Sequence, residues 1–241
     1  MGLFKTLAKE FIYSFPIALT RNEQYDRLTL SIIKKVCQSH SVCIDIGAHK
    51  GRILQQFLRT ASQARHWAFE PIPELFHHLK KKFGSAAHIY DYALSNIQGK
   101  TSFNLVVTDM AYSGLRKRKY DKPEEDKVIE VRTELLDHII PASENITLIK
   151  MDVEGAELMV LQGAIKTIHR NKPVILFEFG KAGSEAYGYD DNLMYDFIDH
   201  NLYYNIYTLK SFYNNHPSLT KQQFHQYYLD GKEFFFVAAP K

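Results

Sequence analysis

The chain has 241 residues, 45% hydrophobic and 24% charged, enough apolar material for one full α/β domain without disulfide staples. Its net charge of +3 is mild and its Lys and Arg residues are dispersed, so a duplex-binding footprint is not indicated and no nucleic-acid partner is expected. No stretch approaches the roughly 18 uninterrupted apolar residues of a membrane span, and the two cysteines, Cys37 and Cys43, form no disulfide framework. Cys43 lies in an apolar strand-like run, where a buried reduced thiol is expected; this suggests a reducing, cytoplasmic setting.

In chain order, Leu3, Phe4, Leu7, Ala8, Phe11, Ile12 and Phe15 share one helical face, with Lys5, Lys9 and Glu10 off it. The interrupted stripe, with no small-residue cleavage site after it, does not read as a secretory signal. Met1-Gly2 with Thr6 also fits a loose acylation pattern, for which chance is the better account. Packing on the domain or in a homodimer contact ranks first for this stripe, ahead of a peripheral membrane contact. Asn22 to Gln38 reads as a second helix, so residues 1–40 are taken as an N-terminal helical extension of a domain covering 41–241.

Ser41 to Ile46 is a short apolar run ending in Asp-x-Gly, a buried strand, followed by a helix over Lys50 to Arg59. Trp67 to Phe69 is a strand that must stop at Glu70-Pro71, because proline lacks the N–H a central strand needs. A helix over Pro73 to Phe83, closed by Gly84, leads to a strand over Ala87 to Tyr92. This rhythm predicts an α/β, mostly parallel, doubly wound sheet. Thr101 to Val107 and Val128 to Val131 interrupt it as an antiparallel excursion, with a mobile charged loop, Asp109 to Lys127, near the site. The alternation resumes with strands over Ile146 to Met151, Pro173 to Phe179, Tyr203 to Leu209 and Glu233 to Ala239. Helices are expected over Ala156 to His169 and Asn192 to His200.

Asp45-Ile46-Gly47-Ala48-His49-Lys50-Gly51 lies where the first strand hands over to a helix, which is where doubly wound sheets bind ligands. Gly47 and Gly51 stand four apart, and Ala48 and His49 replace the close-spaced second glycine of a dinucleotide turn. That spacing disfavours a nicotinamide dehydrogenase. Glu70 ends the second strand about 25 residues beyond Asp45, close to the separation at which an acid meets a ribose and accepts both hydroxyls. Lys150-Met151-Asp152-Val153-Glu154-Gly155-Ala156-Glu157 places three carboxylates at the end of a central strand. The helix dipole accounts for the acids on the helix side, but not for Asp152. Glu178, at the end of the next strand, adds a fourth acid on that edge. The basic run Arg116 to Lys119 reads as a solvated loop, with a phosphate-bearing substrate as the sharper alternative.

These pieces occur in order with Ala93-Leu94-Ser95, Gly99, Leu136-Asp137, Leu161-Gln162-Gly163-Ala164 and Pro173 to Glu178. Together, over roughly Val42 to Glu178, the chain resembles the FkbM family of S-adenosylmethionine-dependent methyltransferases, the Lys-x-Asp-x-Glu-Gly-x-Glu block being the most specific part. The resemblance implies a class I, Rossmann-like methyltransferase domain with a seven-stranded sheet whose last strand is antiparallel. It also implies O-methylation of a hydroxyl on a sugar, glycolipid, polysaccharide or polyketide-like secondary metabolite. Carried over by position, Asp45, Gly47 and Gly51 would shape the methionine end of the cofactor pocket together with Ala48 and His49. Glu70, followed by Pro71, would hold the ribose, Asp91, Tyr92 and Ala93 would lie near the adenine, and Asp152 would face the reacting centre. Family members usually have Asn where His49 stands.

A hydroxyl nucleophile must lose a proton, so a base is expected from Asp152, Glu154 or His49, with Asp152 first because it ends a central strand. Glu178 is expected to shape the site, and Tyr112, Ser113 and Arg116 in the excursion are candidate contacts to a small-molecule or glycan acceptor. Asp152, Glu154 and Glu178 could hold a divalent metal, but their spacing in sequence does not indicate one. Methylation of RNA or protein, and a non-catalytic scaffold built on the same fold, stand as the alternatives.

Overall fold

Strands β1 (Val42–Ile46), β2 (His66–Phe69), β3 (Ala87–Tyr90), β7 (Ile146–Met151) and β8 (Val174–Glu178) form the parallel body of a seven-stranded sheet. Their apolar runs are buried almost throughout, as strands covered on both faces must be. The sheet order is β3-β2-β1-β7-β8, followed by β10 (Phe235–Pro240) and β9 (Tyr204–Thr208). The last strand, β10, runs antiparallel to both β8 and β9. The chain winds outward from β1 to β3 and returns to β7 beside β1, so a switch point opens between the carboxyl ends of β1 and β7. The computed structural model describes residues 20–120 and 122–241; the apolar stripe between Leu3 and Phe15 lies outside them.

The helix Arg21–Val36 begins at a capping box in which the Thr20 hydroxyl accepts from the Glu23 N–H and the Glu23 carboxylate accepts from the Thr20 N–H. It buries Tyr25, Thr29, Ile32 and Ile33 against one face of the sheet. Among the described residues no helix is long and apolar enough to cross a membrane.

The antiparallel excursion is present, as β5 (Gly99–Val106) paired with β6 (Asp126–Glu134). The strand expected over Ala87 to Tyr92 divides. Ala87–Tyr90 completes the large sheet as β3, and Tyr92–Leu94 is β4, which pairs in parallel with β6 in a separate three-stranded sheet. The single helix expected over Ala156 to His169 also divides, into Glu157–Gln162 and Ile165–Asn171. The break falls at Gly163, where a Cβ would meet the Ser95 carbonyl oxygen at 2.1 Å. Asp137 donates its N–H to the Gly163 carbonyl, and its carboxylate caps the second piece by accepting from Lys166 and Thr167 N–H at 2.9 and 2.7 Å. Leu136-Asp137 and Leu161–Ala164, far apart in sequence, are thus two halves of one junction. The helix expected over Asn192 to His200 is α-helical over Asp191–Asp196 and continues as a π-helical turn over Phe197–Asn201. Helices Lys181–Tyr187, Leu209–Tyr213 and Lys221–Asp230 were not anticipated. All three are short or weakly amphipathic segments held by tertiary packing, such as the stack of Phe179 on Phe224 and Tyr228.

Candidate active site

A cavity of about 960 Å³ opens over the carboxyl ends of β1 and β7. It falls within the roughly 300–1,000 Å³ usual for sites of small organic ligands. Gly47, Ala48 and His49 line it from the β1 turn, Glu70 and Pro71 from the end of β2, and Tyr92 and Ala93 from β4. Lys150, Asp152, Val153 and Glu154 close it from β7 and the following turn, and Glu178 from β8.

The β1 turn owes its shape to left-handed residues at Gly47, His49 and Gly51. Gly47 has φ +72, and a Cβ there would lie 1.9 Å from the Asp152 carbonyl oxygen, so glycine lets the β1 and β7 turns touch. His49 has φ 49, a left-handed conformation that Asn, Asp and His tolerate better than most residues. Its N–H donates to Glu70 Oε2 at 2.7 Å, while Glu70 Oε1 accepts from the Ile72 N–H at 3.0 Å. Each Glu70 oxygen therefore retains a second lone pair for a ligand hydroxyl. Burial raises the Glu70 carboxyl to about 7, although these two N–H groups pull the other way.

Three residues expected on the cofactor lie behind or beside the wall. Asp45 is fully buried, and its Oδ2 accepts from the Leu54 N–H at 3.0 Å, anchoring the helix Arg52–Thr60. Gly51 opens that helix at φ +76, and a Cβ there would meet Leu79 and Phe83 at 2.6 Å, so it serves helix packing. Asp91 pairs with Arg132, whose guanidinium lies over the Tyr92 ring.

The acceptor end is built of carboxylates. Oxygens of Asp152, Glu154 and Glu178 lie within 4.8 Å of one another, close enough for a divalent cation to bridge. Lys150 reaches into this group, with Nζ 3.5 Å from Asp152, 3.8 Å from Asp45 and 3.4 Å from the Gly47 carbonyl. Burial works to lower the Lys150 pKa, but Asp152, Asp45 and Glu178 outweigh it and the net shift is upward. Glu154, left-handed at φ 57, and Glu178 are both pushed well above the usual carboxylate range, first by burial and then by the neighbouring Asp152. Glu157, buried at the start of its helix, accepts from the Val153 and Gly155 N–H groups at 3.1 and 3.3 Å and so fixes the turn that presents Asp152 and Glu154.

The charged loop of the excursion is fastened rather than loose. Asn104 and Gly114 exchange backbone hydrogen bonds, and the Ser113 hydroxyl accepts from the Val106 N–H at 3.0 Å. Tyr112 and Ser113 line the cavity, whereas Arg116 lies outside it, over Tyr187 and donating to the Ala186 carbonyl. The basic run is not wholly solvated: Arg118 turns inward, pairs with Glu154 at 2.9 Å, stacks on Tyr112, and has a side chain only 14% exposed. Lys150 and Arg118 are among the cavity residues that sequence reasoning missed. Lys150 carried a signal, a lysine inside an apolar strand; Arg118 carried none beyond its charge.

A seven-stranded sheet with a reversed last strand and a cavity at its switch point defines the class, that of S-adenosylmethionine-dependent methyltransferases. Residues 45–205 match the methyltransferase FkbM domain, and the chain belongs to the FkbM methyltransferase family. S-Adenosylmethionine is the cofactor of that class, and the lone pairs of Glu70 at the cavity wall fit its ribose diol.

Among solved structures, the methyltransferase FkbM from Methylobacillus flagellatus KT is similar, with a TM-score of 0.52 and 17% identity. The match covers 84% of this chain and 44% of that one, so this chain spans less than half of that relative's length. Cofactor-bound Rv0187 from MTB aligns with a TM-score of 0.49 at 12% identity over 99% of this chain and 88% of that chain. The putative methyltransferase SMU.1697c from Streptococcus mutans, in complex with SAH, aligns with a TM-score of 0.46 at 9% identity over 88% and 96%. No curated protein matches the chain.

Proposed function

We propose that the chain is an O-methyltransferase acting on a hydroxyl of a sugar, glycolipid, polysaccharide or secondary metabolite. The observation that carries this reading is the position of Asp152. Its carboxylate lies on the same cavity as Glu70, 31% exposed, at the end of the strand beside the β1 turn. The bound cofactor supplies a methyl group already activated on a sulfonium. The protein has to hold an oxygen in line with it and take that oxygen's proton.

Glu70 would accept the two ribose hydroxyls, and Gly47, Ala48 and His49 with Tyr92 and Ala93 would hold the rest of the nucleoside side. Asp152 receives the acceptor's proton on a carboxylate oxygen, with Lys150 paired to it at 3.5 Å. Glu178 and Glu154, both held above the usual carboxylate range by burial, border the acceptor end beside Asp152, with Arg118 paired to Glu154. Tyr112 and Ser113 border the acceptor end.

The test offers labelled S-adenosylmethionine with glycan, metabolite, RNA and protein fractions. Label in a base-stable ether on a glycan or metabolite supports the reading. Label confined to RNA or protein replaces it with one of the alternatives. If calorimetry finds no binding of S-adenosylhomocysteine, a non-catalytic scaffold is the correct account.

A further inference from the structure

The Cys37 and Cys43 sulfur atoms lie 3.5 Å apart, and both residues are buried. Cys37 ends the helix Arg21–Val36, whose Tyr25, Asp26 and Thr29 line the cavity. Cys43 sits in β1, the strand that runs into the Asp45–Gly51 turn. The two are joined by a tight loop in which the Gln38 N–H donates to the Ser41 hydroxyl and the Ser41 N–H to the Gln38 carbonyl.

A second feature falls at the same place. Val42 pairs with Ile146 and Cys43 with Leu148, so the β1–β7 ladder carries an irregularity at Val42/Cys43. The Cys43 N–H turns to His66 Nδ1 at 3.2 Å. A bulge lets a strand residue re-aim its side chain at small cost. Cys37, at 7% exposure, borders the exposed Gln38, Ser39 and His40, which gives a small oxidant a route in.

We propose that Cys37 and Cys43 form a reversible disulfide that staples the cavity-lining helix to β1, with hydrogen peroxide as the oxidant. The Cys37 thiolate attacks one peroxide oxygen, giving a sulfenic acid and hydroxide. The Cys43 sulfur then attacks the Cys37 sulfur and expels the second hydroxide. The two thiol protons convert these hydroxides to water, so two thiols and one peroxide yield one disulfide and two waters. Hydrogen bonding from Cys43 lowers the Cys37 thiol pKa, which suits Cys37 to the attacking role.

The test treats the reduced protein with stoichiometric hydrogen peroxide, then unfolds it in acid and alkylates it. Expected are loss of both alkylatable thiols, a mass lower by two hydrogens, full reversal by dithiothreitol, and a melting temperature higher by several degrees. Cys43→Ser should leave Cys37 as a sulfenic acid that dimedone traps; Cys43→Ala serves should that variant not fold. Two thiols surviving the oxidation, or over-oxidation of Cys37 with no bridge, overturns the proposal. A slower release of S-adenosylhomocysteine from the oxidised form is also expected. That readout rests on the cavity being the cofactor site, whereas the thiol count does not, so the two readings fail separately.

Discussion

The two ends of the cavity are built by different means. The end formed by β1, β2 and β4 uses backbone: a left-handed turn at Gly47 and His49, and one carboxylate, Glu70, already tied to two N–H groups. The end formed by β7 and β8 uses side-chain charge: Asp152, Glu154 and Glu178 crowd together, with Lys150 and Arg118 as the cations among them. A backbone turn is assembled by its own short segment. A cluster of buried carboxylates is stable only when distant segments deliver the opposing charges.

The largest effect should separate chemistry from binding. Asp152→Asn keeps shape but removes the proposed proton acceptor, so methyl transfer should fall about 100- to 10,000-fold. Affinity for S-adenosylhomocysteine, measured by calorimetry, should change little. Full activity in this variant would move the base to Glu154 or His49.

Gly47→Ala attacks the contact between the two ends. The new Cβ meets the Asp152 carbonyl oxygen at 1.9 Å from a left-handed backbone. A loss of about 3 kcal/mol in denaturant titration is expected, together with loss of cofactor binding. Stability within error of the wild type would mean that the turns are not in contact.

Two neighbouring arginines then sharpen the acceptor end. Arg118→Ala strips Glu154 of its partner and should cost roughly 1–3 kcal/mol, limited because Glu154 can take a proton. Arg116→Ala removes a group outside the cavity and should stay within about 0.5 kcal/mol. Equal effects would contradict the inward placement of Arg118.

The smallest effect is a pH dependence. Burial raises the carboxyls of Asp45 to about 6 and of Glu70 and Glu157 to about 7. Between the ordinary carboxylate range and these values, the folded state holds protons that the unfolded chain has released. Their contribution to stability is therefore fully present at low pH and is lost as pH rises through about 7. The melting temperature of the ligand-free protein should decline over that window. Binding of S-adenosylhomocysteine should strengthen over the same range, because its ribose hydroxyls favour ionised Glu70. Glu70→Gln should weaken binding about tenfold and flatten that pH profile.

The legibility of the chain divides in the same way as the cavity. The Pro73–Phe83 helix and the Ile146–Met151 strand appear at their expected bounds, because proline, glycine and apolar period specify them locally. The β1 turn and Glu70 were legible for the same reason. The helix broken at Gly163 was not, since its periodicity continues and the break is made from afar by Asp137, whose N–H donates to the Gly163 carbonyl and whose carboxylate accepts from the Lys166 and Thr167 N–H groups. Nor was the division of β3 from β4, which depends on where β6 lies.

By itself, then, the sequence determined the alternation, the doubly wound sheet and the two dense motifs at the strand ends, while the reversed final strand followed only from the resemblance to the FkbM family. Only the tertiary structure decided that Asp45, Gly51 and Asp91 stand off the cavity while Lys150 and Arg118 enter it. Strand ends and turns follow from short-range sterics and hydrogen bonding, which neighbouring residues carry. The direction of a long charged side chain follows from which opposite charges the fold brings near it, and Arg118 meets Glu154 across 36 positions of chain.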